Sequence, residues 1–228
     1  MKLGIIGYGK MGKAIHLLAN QYAFSEFVVI DNETDWLNKE EELKICDVAI
    51  EFSIPQTALA NVAKCFGYKI PVVSGTTGWR SECDELLNKW RNDDVSIIYG
   101  SNFSIGANIF FKLNEFLAQL FQSQSQYEVC IEETHHIHKK DAPSGTALSI
   151  KQLISNQFDN QRPISIISHR EGEVVGEHIV NYNSNEDIIQ VKHAVHVRDA
   201  FAHGALKAAV WLIKNPGIYN FEAIFGKV

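Results

Sequence analysis

Lys2-Leu-Gly-Ile-Ile-Gly-Tyr-Gly-Lys-Met-Gly12 opens the chain with a short apolar run that ends in three glycines, spaced Gly7-x-Gly9-x-x-Gly12. The run reads as a buried strand. Behind it Met11, Ala14, Ile15 and Leu18 recur at helical spacing. In such a turn Gly7 permits the tight bend, Gly9 lets the backbone approach a pyrophosphate, and Gly12 lets the helix lie close to the sheet. The pattern alone is weak, and a glycine turn without a ligand is its rival. The context favours a dinucleotide: a first strand, a helix after it, and a second strand, Phe27 to Ile30, closed by Asp31. That acid falls at the offset expected of a ribose-binding carboxylate. Tyr8, Lys10 and Met11 complete the candidate cofactor loop. Asp31 accepts from a 2′-hydroxyl and repels a 2′-phosphate. NADH is therefore expected to be preferred, with NADPH admissible because Lys10 and Lys13 moderate the repulsion.

The same rhythm continues outward. Asp47 to Phe52 reads as a strand before a helix begun by Pro55, where proline costs no hydrogen bond. Ile70 to Ser74 runs into Gly75-Thr-Thr-Gly78, and a polar helix covers about Ser81 to Asn92. Val95 to Tyr99 runs into Gly100-Ser-Asn-Phe103. No element is assigned between Asp31 and Asp47. Short apolar strands alternating with helices indicate a parallel sheet covered on both faces, with ligands at the strands' C-terminal ends.

Past residue 104 the pattern changes. A long helix (about Ile105 to Gln122) precedes an alternating strand, Tyr127 to His136. A helix opened by Ser144-Gly-Thr146 follows, then strands at Ile164 to Ser168, Glu173 to Tyr182 and Ile188 to Val197. This suggests a separate α+β domain with a mixed or antiparallel sheet. An amphipathic helix, about Ala202 to Lys214, is stopped by Asn215-Pro216-Gly217. The expected domains are 1–103 with 204–228, binding the dinucleotide, and 104–203, binding substrate and forming the oligomer. Hinges are expected near 101–105 and 198–204, with closure expelling water.

Composition narrows the function. At 228 residues and 46% hydrophobic, the chain can bury a real core. A net charge of −6 without a long basic run argues against nucleic acid as a partner. No apolar run reaches the ~18 residues of a membrane span. Cys46, Cys65, Cys83 and Cys130 are widely spaced, which suits free thiols in a reducing cytoplasm.

The second chemical stretch is Glu133-Thr-His-His-Ile-His-Lys-Lys-Asp-Ala-Pro-Ser-Gly-Thr-Ala147. Proton donors and positive charge stand beside a helix N-terminus with unpaired N–H groups, the outline of a site for a small anion. On a strand His135 and His136 point to opposite faces, so they cannot share one task. His135 and Lys139 share parity but lie about 13 Å apart on extended chain, so the chain must turn for both to touch one ligand. A three-histidine metal site through His138 is a competing reading. The adjacent Lys139 and Lys140 oppose it, and no metal is expected. A solvated basic turn without function is the remaining reading.

This stretch resembles the signature of the 4-hydroxy-tetrahydrodipicolinate reductase (dihydrodipicolinate reductase) family, Glu133-x-His-His-x-x-Lys-x-Asp-Ala-Pro-Ser-Gly-Thr-Ala147. The likeness extends to Gly7 to Gly12, Gly75-Thr-Thr-Gly78, Asn102-Phe-Ser104 and Arg198-x-Ala-Phe-Ala-x-Gly-Ala205. It implies an α/β fold: a Rossmann-type parallel-sheet nucleotide domain plus a smaller α+β domain. His135 stands where the family's proton donor stands, and Lys139 where its second catalytic cation stands. His136, Ser144, Gly145 and Thr146 match substrate-binding positions. Gly75, Thr76 and Thr77, with Gly100, Ser101, Asn102 and Phe103, match loops that hold the nicotinamide and its ribose. The implied cofactor is NADH or NADPH, the partner a small dicarboxylate, and the assembly a homotetramer built through the C-terminal sheets. The family also implies a last helix that returns to the nucleotide domain. Two departures stand out: many members carry one more residue in the first glycine loop, and the chain is short between Asp31 and Gly75. The rival activity is another two-domain nicotinamide dehydrogenase acting on a small amino or carboxylic acid. A nucleotide sensor without turnover is the non-enzymatic alternative.

Overall fold

The computed structural model describes residues 1–90, 94–159 and 162–228. Packing divides them into two compact units, Met1–Ile105 with Asp199–Val228, and Gly106–Arg198.

The first unit begins β1 (Lys2–Ile6), α1 (Lys10–Leu18), a 3-10 turn (Ala19–Tyr22), β2 (Glu26–Ile30), α2 (Glu33–Lys44) and β3 (Val48–Glu51). It continues α3 (Pro55–Gly67), β4 (Val72–Ser74), α4 (Arg80–Lys89) and β5 (Ile97–Tyr99). The end at Asn92 expected for the polar helix lies outside the described residues. After the second unit, with α5 (Ile105–Phe121), β6 (Glu128–His135), α6 (Gly145–Gln157), β7 (Ile164–Arg170), β8 (Gly176–Asn183) and β9 (Ile188–Val195), the chain closes with α7 (Asp199–Lys214), β10 (Ile218–Asn220) and α8 (Phe221–Ile224).

The first sheet is all parallel in the order β10-β5-β4-β3-β1-β2. Leu3, Ile5, Ile6, Val48, Ala49 and Ile50 are all essentially buried, as strands covered on both faces must be. The chain leaves β1 for β2 on one side and β3 on the other. This reversal opens a crevice at their C-terminal ends.

The elements that go beyond the sequence reading include α2, β10 and α8. In α2 only Leu43 is buried, so no apolar stripe marks the helix. It is held instead by the Asn32 side chain accepting from Asp35 N at 3.0 Å and by ion pairs Asp35–Lys39 (2.6 Å) and Glu40–Lys44 (2.9 Å), each four residues apart. β10 is only three residues long and follows Pro216-Gly217, where a stop was expected. It pairs with β5 in register Ile218↔Ile97 and adds the sixth strand.

In the second unit β6 pairs β7 in parallel and β8 antiparallel, with β9 outside β8. The sheet is thus mixed, and α6 makes the parallel crossover between β6 and β7. Odd residues of β6 (Val129, Ile131, Glu133, His135) face the interior, where Phe110 and Phe121 of α5 and Ile150 and Ile154 of α6 complete the core.

Candidate active site

Three strand ends of the first unit surround a pocket of about 450 Å³, lined by Gly7, Tyr8, Gly9, Asp31, Trp36, Ser53, Asn61 and Lys64, among others. Gly7 has φ +86°, and a Cβ there would meet Phe52 O at 2.3 Å. A Cβ on Gly12 would meet Gly7 O at 2.1 Å, so helix and turn lie in direct contact. Gly9 caps α1 and has nothing within 4 Å of an added Cβ, leaving open space beside its backbone. No acid occupies the first turn of α1, which begins at Lys10 with Met11 packed toward the core. An unpaired helix N-terminus beside open space suits a pyrophosphate. Tyr8 N donates to Asp31 Oδ1 at 2.6 Å, fixing the acid at the rim. The residues present therefore fit a dinucleotide.

The loops after β4 and β5 belong to the same unit. Thr76 Oγ1 donates to Glu51 at 2.8 Å, while Thr77 is exposed. Ser101 donates to Glu222 Oε1 from both N (2.8 Å) and Oγ (2.9 Å). Asn102 Oδ1 accepts from Ser104 N at 2.9 Å. The Phe103 ring is buried against Phe52 and Phe221, so only its backbone and that of Gly100 can face a ligand.

In the second unit His135 ends β6, and its neighbours assemble around it. Its Nδ1 is bonded to the Glu133 carboxylate, which is fully buried. Arg170 Nη1 donates to the other Glu133 oxygen at 3.0 Å. Burial pushes the Glu133 carboxyl up, but hydrogen bonds from Ser168, Arg170 and His135 outweigh it and hold it below the usual range. Burial pulls His135 below an ordinary imidazole, and Lys139 and Arg170 add to this, against the opposing pull of Glu133. With Nδ1 committed to Glu133, the group free to exchange a proton is Nε2. Gly176 leaves room there, since an added Cβ would lie 3.2 Å from that nitrogen.

The turn that the sequence reading required is present: Lys139 N donates to His136 O at 3.1 Å. Lys139 Nζ holds both oxygens of Asp141 at 2.8 Å. His136 Nδ1 is buried and has no hydrogen-bond partner among the described residues. His138 is exposed, 3.6 Å from Glu173. Ser144 caps α6, accepting from Ala147 N at 3.2 Å, and its hydroxyl also bonds His178 Nε2 at 3.0 Å. Burial first, then the charge of His135, pushes His178 down to about 4, so its ring is a neutral acceptor for the Ser144 proton. The Ser144 hydroxyl is thus used within the protein. What this turn can offer an anion is backbone N–H.

Glu133, Arg170, His178, Ser168, Asp141 and Gly176 had no assigned role in the sequence reading. Parity gives a signal for one of them: Glu133 and His135 alternate onto the same face. Arg170 and His178 are opposite His135 and Glu133 only through strand pairing. Among the described residues Glu133, His135 and His178 also form a group whose ligand atoms lie within 4.8 Å, unlike the His135-His136-His138 set considered from sequence. Arg170 on Glu133, and Lys139 nearby, oppose a cation there.

Comparison with known proteins agrees over the whole chain. Residues 1–103 match the family model for the N-terminus of dihydrodipicolinate reductase, and residues 106–225 that for its C-terminus. A 4-hydroxy-tetrahydrodipicolinate reductase of Christiangramia forsetii is 37% identical over 98% of this chain and 97% of its own length. One from Methanoregula boonei is 34% identical over 79% of this chain and 75% of its own. Among solved structures, a dipicolinate-bound dihydrodipicolinate reductase from Paenisporosarcina sp. TG-14 shares the fold with TM-score 0.78, at 21% identity, covering 98% of this chain and 99% of that one. With both its glycine turn and its imidazole-lysine turn matched, this chain belongs to the dihydrodipicolinate reductase family.

Proposed function

We propose that the protein reduces 4-hydroxy-tetrahydrodipicolinate, through the dehydrated conjugated imine, to tetrahydrodipicolinate in lysine and diaminopimelate biosynthesis. The observation that carries this reading is the buried Glu133–His135 pair set beside Lys139 and the N-terminus of α6 in one unit. NADH, with NADPH as second choice, supplies the hydride. In this reading Gly7 to Gly12 hold the pyrophosphate, Asp31 the adenosine ribose, and the loops at Gly75 to Thr77 and Gly100 to Phe103 the nicotinamide end.

The substrate's two carboxylates must be neutralised. His136 Nδ1, lacking a partner, and the N–H groups of Gly145 and Thr146 are suited to one of them. Lys139 takes the other by exchanging Asp141 for it, which costs little because a partly exposed ion pair is worth about 0–1 kcal/mol. His135 Nε2 gives the proton as electron density builds at the far end of the conjugated system, and Lys139 stabilises that charge. Glu133 holds the ring in place and stabilises it when charged.

The assembly we propose is a homotetramer through the open face of the mixed sheet. Ile167 and Ile188 lie exposed there beside an ordered chain from Gln190 through Asn181 to Glu132. The place of work we propose is the cytoplasm; no described helix is long and apolar enough to cross a membrane.

The deciding assay is oxidation of NADH against NADPH with substrate generated in situ by the preceding synthase. His135→Gln should lower turnover by about 10²–10⁴-fold with little change in NADH affinity. An unchanged turnover number removes His135 from the mechanism.

A further inference from the structure

Glu51, the last residue of β3, is a fully buried carboxylate whose hydrogen-bond partners are all neutral. Ser53 N (3.0 Å), Ser53 Oγ and Thr76 Oγ1 (2.8 Å) converge on Oε1, and Ser74 Oγ (2.7 Å) on Oε2. Two of the hydroxyls are oriented from behind. Asn61 Nδ2 donates to Ser53 Oγ at 3.2 Å, and Ser53 N donates to Thr76 Oγ1 at 2.8 Å. Both hydroxyl oxygens accept there while they donate to Glu51, the Ser53 N–H being shared between Thr76 and Glu51, and Ser53 Oγ also lies 3.1 Å from Thr57 Oγ1. The surroundings are built to present donors to an anion. The nearest cation lining the adjoining pocket, Lys64, lies over the Trp36 ring at 4.1 Å and is occupied there.

Burying a carboxylate without a counter-charge is costly, and bracing two loops does not require one, since a neutral amide can bond the same hydroxyls. A net negative charge becomes useful if something positive forms nearby. Glu51 latches the loop after β3 to the loop after β4, whose Gly75 lies so close to Phe52 that an added Cβ would sit 2.1 Å from the ring. In the proposed function, on which this inference rests, that second loop faces the nicotinamide. When hydride passes to ring carbon 4 of the conjugated imine, the neutral reduced nicotinamide ring becomes a pyridinium with one positive charge. The substrate gains the hydride, and a proton from His135 balances the reduction.

We propose that Glu51 is a positioning residue that fixes the Ser74–Thr76 turn and provides the buried counter-charge favouring the oxidised ring. It thereby makes the bound cofactor a stronger hydride donor. The test is calorimetric binding of NAD+, NADH and ADP-ribose to the whole protein and to Glu51→Gln. The variant should lose about tenfold in NAD+ affinity, as removal of one buried charge several ångströms away implies, while NADH and ADP-ribose stay within about twofold. Equal losses for NAD+ and NADH, or no loss, overturn the proposal and leave Glu51 a brace. Should Glu51→Gln not fold, Glu51→Asp is read in the same titration. Retention of the wild-type NAD+ to NADH ratio supports the charge, and its loss overturns it. Failure of the wild-type protein to bind all three ligands refutes the cofactor reading itself, a result distinct from an unchanged ratio.

Discussion

Burial holds His135 below an ordinary imidazole, and in the proposed reaction this ring delivers a proton. Its acidity is set by burial and two nearby cations against one carboxylate. A dianion arriving beside Nε2 reverses that balance, because an opposite charge within about 4–6 Å favours the charged form. Substrate binding should therefore take up protons from solution near pH 7.5. Titrating dipicolinate, as a stable dicarboxylate, in buffers of different ionisation enthalpy measures this. Uptake approaching one proton in the wild type, absent in His135→Gln, is expected; none in the wild type contradicts the reading. The residues that meet the substrate in this account, His135, His136, Lys139 and the Ser144 turn, lie in one local stretch that outlines an anion site, and their separate roles came from the family resemblance. Arg170 and His178 were not legible, since 37 residues separate Arg170 from the Glu133 carboxylate it bonds.

At the scale of elements, legibility followed apolar content. β1, β3 and α3 announce themselves through buried residues at regular spacing. α2 does not, because its stability comes from a cap and surface ion pairs. Its cap carries a prediction: Asn32→Ala leaves Asp35 N without its acceptor and should cost about 1 kcal/mol, read by denaturant melting. Gly204 in α7 lies against Phe103 O, which an added Cβ would meet at 1.7 Å. Gly204→Ala must push the Gly100–Phe103 loop away from its helix. The expected result is a raised KM for NADH and a loss of about 1–3 kcal/mol of stability, as for other overpacked sites. An unchanged KM would show that the loop's position does not matter to the cofactor.

For the whole molecule, pH acts through buried imidazoles. His178 binds its proton near 4 when folded and near 6.5 when unfolded. Between those values the unfolded chain holds more protons, so stability falls as pH falls from 6.5 toward 4. The His178 share is about 3 kcal/mol at most. His135 and His193 are lowered too and act with the same sign. Urea melts at pH 7.5 and 5.0 should show the loss, and His178→Asn should flatten it. If the mixed sheet is the assembly face, replacing Ile167 and Ile188 with lysine should give a smaller species by light scattering, with the fold intact by circular dichroism. The same mass as wild type would place assembly elsewhere.

The Lys139–Asp141 clasp sets a carboxylate of the protein's own where, in the proposed reaction, one of the substrate's would bind. Affinity then measures the difference between two acids competing for one ammonium, the resident tethered and the visitor free. A visitor with a single acid gains little from the swap, whereas one with a second acid for His136 and the α6 amides gains on both. The clasp thus biases the proposed site modestly toward two-headed anions, and Asp141→Asn should narrow that bias by no more than about fivefold, the worth of one partly exposed ion pair.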